Sequence, residues 1–142
     1  MKFKYFKFPL PGRSDFFGTS ILRPVIRVDI IVGNLAIGYD VLIDSGADFC
    51  IFDGGFGEVL CLDVRSGKLI EFGGVQANRP SSAYLHEVTL SVGGSRHKIL
   101  AGFSYDIAPS GYGIVGQKGF FDIFTVKFDL AKEEIELKER KF

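Results

Sequence analysis

Apolar and polar residues alternate along most of this chain with a period of two. Within residues 22–32, Val28, Ile30 and Val32 fall on one side, while Arg27, Asp29 and Ile31 fall on the other. Successive side chains of an extended strand point to opposite faces, so this spacing predicts a strand with one buried face. Gly33-Asn34 follows, and Leu35, Ile37, Tyr39, Val41 and Ile43 repeat the pattern. A Gly-Asn link between two such runs predicts a hairpin, because it tolerates the positive φ of two-residue turns. The same logic predicts a strand over residues 83–92, a turn at Gly93-Gly94 and a strand over 97–103. It also predicts a closing hairpin from 125–130 and 134–138 around a charged turn.

Other segments carry weaker patterns. Residues 1–8 alternate lysines with aromatics before Pro9-Leu10-Pro11-Gly12 breaks the run. A short edge strand with outward lysines fits, since such lysines discourage edge-to-edge pairing. A basic-aromatic strip for single-stranded nucleic acid is the competing reading. With 17 Lys and Arg against 17 Asp and Glu there is no net charge to drive it, so no nucleic-acid partner is expected. Gly54-Gly55 predicts the end of a short strand, and residues 58–62 one or two turns of helix. Residues 67–80 predict a second hairpin with Phe72-Gly73-Gly74-Val75 at its tip. Ile114-Val115-Gly116 reads as a short buried strand, and residues 117–124 as a short helix.

The 142 residues suffice for one domain with a real core, about 21–138, and are too few for two equivalent lobes. Strand-like runs and abundant glycine make the class all-β. No apolar run approaches a membrane span, and the N-terminal residues lack the apolar core of a secretory signal. A cytoplasmic protein without a membrane partner is expected. Cys50 and Cys61 sit in apolar surroundings, which predicts two buried thiols. His86 and His97 fall within strand-like runs, as structural histidines do, and these spacings match no zinc site, so no metal is expected. Gly54-Gly55-Phe56-Gly57 lacks the Gly-Lys-Ser/Thr ending of a phosphate loop, and no cofactor is expected.

The candidate chemistry lies where the Tyr39-to-Ile43 run delivers Asp44 into a tight turn. Ser45 offers a hydroxyl to brace that turn, and Gly46 removes a Cβ that would collide. Asp-Ser/Thr-Gly alone arises by chance in roughly 5% of chains of this length, so its context must carry the reading. Val41-Leu42-Ile43-Asp44-Ser45-Gly46-Ala47-Asp48, the glycine-tipped 68–75 hairpin and Ile114-Val115-Gly116 together resemble the retropepsin-like, single-lobe aspartic peptidases. The resemblance covers roughly residues 21–138. It implies a closed acid-protease barrel with one short helix in the C-terminal half, and a single lobe forming a two-fold dimer. Such peptidases use two facing carboxylates over one water, and this chain carries a single motif, so a homodimer is implied. Asp44, Ser45 and Gly46 would form the catalytic turn. Ala47, Asp48, Ile114, Val115 and a flap of Phe72, Gly73, Gly74 and Val75 would bind a polypeptide substrate. Gln117 departs from the pattern, since many relatives place a charged residue after that glycine. A non-catalytic dimeric peptide-binding or assembly module on the same fold is the alternative.

Overall fold

The alternating runs become strands in the computed structural model, which describes residues 1–73, 80–107 and 111–141. In chain order they are β1 (Lys2–Lys4), β2 (Phe6–Ser14), β3 (Gly18–Arg23), β4 (Val25–Val32), β5 (Leu35–Ile43) and β6 (Ile51–Asp53). After helix α1 (Gly54–Val59) and a 3-10 turn (Val64–Ser66) come β7 (Lys68–Phe72), β8 (Ser81–Val92), β9 (Ser95–Ser104), β10 (Gly113–Val115), β11 (Phe124–Asp129) and β12 (Glu134–Glu139). The all-β class holds, with one short α-helix among the described residues.

The two sharpest sequence patterns give the two longest hairpins. β4 pairs with β5 from Val25↔Leu42 to Val32↔Leu35, and Gly33 turns the chain at φ 59. Val28 and Ile30 are buried while Arg27 and Asp29 are exposed, as the alternation requires. β8 pairs with β9 across Gly93 and Gly94, both at positive φ. Neighbours then run β4-β5-β10-β6-β9-β8-β7, and β4 also pairs with β8 through Ile30↔Leu90. Six strands therefore close into a ring, with β7 attached to β8.

Phe52, Phe103, Phe120 and Phe124 are the largest fully buried side chains, packed with Ile30, Leu90, Val41 and Val115. Each buried phenylalanine contributes about 1.5–3 kcal/mol. The exposed Arg27–Asp40 ion pair is 2.6 Å long, and such pairs add only about 0.2–1 kcal/mol. Apolar burial holds this fold. Outside the ring, β1-β12-β11 form a terminal sheet and β2-β3 a two-stranded ribbon.

Four local expectations need correction. Pro9 and Pro11 lie within β2, which has a register irregularity between Pro9 and Ser14. Among the described residues β2 pairs only with β3, so a missing N–H on its outer side costs no ladder bond. The helix begins at Gly54, where the Asp53 carboxylate accepts from Phe56 N at 3.2 Å, rather than at Glu58. The second arm of the glycine-tipped hairpin begins after Pro80, with Phe72 opposite Ser81. Residues 117–123 form turns and Phe124 opens β11, in place of the helix expected in the C-terminal half. Gly119 stands at φ 102, outside helical space, and bonds such as Phe121 N to Gly116 O span five residues.

Candidate functional site

Two parallel strands frame the Asp44 turn. β10 lies beside β5 with Val115 opposite Ile43, so both chains leave the sheet at the same end. Asp44 follows β5 directly, and its N–H donates to Val115 O at 3.0 Å. Gly116 follows β10 and presses against the far limb of the turn. A Cβ there would lie 2.5 Å from Phe49 O and 2.6 Å from Ala47 O, so only glycine fits without moving backbone. That is the physical content of the Ile114-Val115-Gly116 motif. Beyond it, Gln117 N donates to Ala47 O at 2.8 Å and Lys118 N to Asp48 O at 3.0 Å. A parallel bridge between Phe49 and Lys118 continues the contact.

Within the turn, Ala47 N donates to Asp44 O at 3.1 Å, and Gly46 N donates to Asp44 Oδ1 at 2.9 Å. Asp44 is half-buried, and among the described residues no side-chain N or O atom is buried without a hydrogen-bond partner. Asp44 Oδ2 accepts no bond from the described residues and is not buried. One carboxylate oxygen is fixed and the other is free to act on a water or a substrate. The Gly46 backbone is not left-handed. Its hydrogen matters because a Cβ would crowd Asp44 Oδ1 at 3.2 Å. Ser45 is exposed, and among the described residues its hydroxyl makes no hydrogen bond; its carbonyl accepts from Gln117 Nε2 at 3.0 Å.

The remaining sequence-derived residues divide. Asp48 is exposed, Ala47 and Ile114 are half-buried, and Val115 is fully buried, so Val115 serves the turn through its carbonyl. Phe72 ends β7, and its ring meets Phe49 edge-on at 5.9 Å, which joins β7 to the loop after Asp44. Gly73 follows and is exposed, while Gly74 and Val75 lie outside the described residues. Beside the turn, Ser45, Asp48, Gln117, Lys118, Phe121 and Asp122 line an open pocket of about 560 Å³. Sequence reasoning missed Lys118, Phe121 and Asp122, and it took Gln117 only as a mismatch. These residues follow Gly116, but nothing in the sequence shows that they lie against a loop some 70 positions earlier.

The cysteines and histidines stand apart from this chemistry. Cys50 is buried, and that burial, aided by the Asp122 charge, pushes its thiol up to about 12. Cys61 is exposed, against the expectation of two buried thiols; it follows the helix at φ 63. His86 Nε2 bonds Val64 O at 2.7 Å, which ties β8 to the 3-10 turn, and His97 Nε2 lies 2.6 Å from Glu139 Oε1, which ties β9 to β12. Among the described residues no group of His, Cys, Asp and Glu is arranged to hold a metal ion. None of the helices described is long and apolar enough to cross a membrane.

No family model and no curated protein matches this chain. Among solved structures, it is similar to a retropepsin-like aspartic protease from Rickettsia conorii. The TM-score is 0.57 at 17% identity, over 80% of this chain and 81% of that one. EIAV protease complexed with the inhibitor HBY-793 matches at TM-score 0.46 and 22% identity, over 67% of this chain and 82% of that one. The Rickettsia match shows that the fold is retropepsin-like.

Proposed function

We propose that this chain, which has a retropepsin-like fold, is an aspartic endopeptidase that works as a homodimer, with one Asp44 from each copy forming the catalytic pair. The observation that carries the reading is the Asp44 carboxylate itself, fixed at Oδ1 by the Gly46 N–H and unpaired but not buried at Oδ2 among the described residues. One such group cannot serve as both acid and base in a single step. Two of them across a symmetry axis can.

Carboxylates at hydrogen-bonding distance do not both ionise readily, so the pair holds one proton and titrates as a unit. The ionised Asp44 takes a proton from the shared water as it attacks the scissile carbonyl. The protonated Asp44 donates to the carbonyl oxygen, and the roles exchange as the amine leaves. Ser45 braces the two turns where they meet. An extended polypeptide lies along the paired sites, held by backbone bonds of the strand-addition kind. Asp48, Ile114 and the Phe72-Gly73-Gly74-Val75 tip contribute to its binding, the tip closing over it to exclude water.

Replacing Asp44 by Asn tests this. The variant should keep its fold and its two-fold assembly by light scattering, and should lose cleavage of extended peptides entirely. Cleavage at the wild-type rate would refute the proposal.

A further inference from the structure

We propose that Gln117 is a positioning residue for the Asp44 carboxylate, acting through the peptide that joins Ser45 to Gly46. The proposal rests on the peptidase reading for its kinetic part and on geometry alone for the rest. Gln117 Nε2 donates to Ser45 O at 3.0 Å, and Gly46 N donates to Asp44 Oδ1 at 2.9 Å. The Ser45 carbonyl and the Gly46 N–H belong to one planar peptide unit, in which they point in opposite directions. Holding the oxygen therefore aims the hydrogen. Ser45 and Gly46 are both exposed, so packing does little to prevent this peptide from rotating. The Gln117 amide supplies the missing restraint. A carbonyl that accepts a bond also makes its own N–H a stronger donor, so the restraint tightens the grip on Asp44 Oδ1.

The backbone around Gln117 is already fixed by the bonds from Gln117 N to Ala47 O and from Lys118 N to Asp48 O. Only the side chain adds something separable. Its chemistry suits that purpose, because Ser45 O accepts and never donates, so its partner must carry a hydrogen. An amide donates without adding charge to a pocket that already holds Asp48, Lys118 and Asp122. An ionised glutamate of the same length would turn an oxygen toward the carbonyl and repel it. The neutral residue after Gly116 thus has a function of its own.

Three measurements test the proposal on the full chain. In the wild-type protein, NMR should find one Gln117 side-chain amide proton protected from exchange; two equally fast protons would overturn the proposal. In Gln117→Met, which keeps length without a donor, the Gly46 amide should exchange about threefold to tenfold faster, as loss of one neutral hydrogen bond implies. The Ile30 amide, in the core, should not change, and an unchanged Gly46 rate would overturn the inference. In cleavage of an extended peptide, kcat of Gln117→Glu relative to wild type should rise several-fold as pH falls through the carboxyl range, because the protonated acid donates again. The same ratio for Gln117→Met should stay flat, with KM within about twofold of wild type for both. Parallel pH profiles for the two variants would contradict the positioning role. Absence of cleavage by the wild type would refute the peptidase reading, while the two exchange measurements would still decide the link from Gln117 to Asp44.

Discussion

Gly116→Ala places one methyl group between the end of β10 and the loop after Asp44. Its carbon would sit 2.5 Å from Phe49 O and 2.6 Å from Ala47 O. Unstrained carbon–oxygen contacts begin near 3.3 Å, so the two segments must separate by roughly 0.8 Å. Both contacts are backbone atoms, and no side-chain rotation can relieve them. The bonds from Gln117 N to Ala47 O and Lys118 N to Asp48 O, now 2.8 and 3.0 Å, would stretch beyond useful length. Losing them costs about 1 kcal/mol each, and overpacking adds about 1–3 kcal/mol, so the total is about 3–5 kcal/mol. For a chain of this size that is a fall in Tm of roughly 10–17 °C. Gly12→Ala is the control, because a Cβ there meets nothing within 4 Å. Thermal unfolding followed by circular dichroism compares the two. A Gly116→Ala midpoint within about 2 °C of wild type would refute the claim that this glycine exists to admit the Asp44 loop.

Two further outcomes follow from the buried ionisable groups. At pH 8 a thiol reagent should label Cys61 and spare Cys50, which burial pushes up to about 12; denaturant should release the second site, and rapid double labelling of the native protein would contradict the burial. Tyr39 is also pushed up to about 12, chiefly by burial, so its contribution to stability is complete below pH 10.0 and is lost as pH rises toward 12. That loss is about 1 kcal/mol by pH 11. Cys50 adds a loss of the same sign from pH 9.0 upward. Tyr39→Phe should therefore lose less of its urea midpoint between pH 8 and pH 11 than the wild type; an equal loss would sink the assignment.

The parts of the fold that were legible in the sequence are those where one local rule acts alone. β4 with β5, and β8 with β9, follow from alternation plus a two-residue glycine turn, and Asp44 was legible because it ends such a strand. The illegible parts depend on contacts between distant segments. α1 is glycine-rich and has little intrinsic helix tendency. Its glycines are needed because a Cβ on Gly57 would lie 2.7 Å from the Phe103 ring, and one on Gly54 would lie 2.6 Å from the Tyr105 ring. Residues 117–124 read as a short helix, yet Phe120 reaches the core from a chain of turns that Gly119 makes possible, and Phe124 reaches it from the start of β11. Gln117 looked like a departure from a motif. Its partner, Ser45 O, is 72 residues away, and only the folded chain brings the two together.

The claim on which the enzymatic reading stands is that two copies of Asp44 make one site. Mixing wild-type protein with Asp44→Asn protein at constant total concentration, after exchange of subunits, measures it directly. If each active site needs an Asp44 from both copies, peptide cleavage should follow the square of the wild-type fraction, so an equal mixture keeps about a quarter of the activity. Activity that falls in simple proportion to the wild-type fraction would mean that each chain works alone, and would contradict the account.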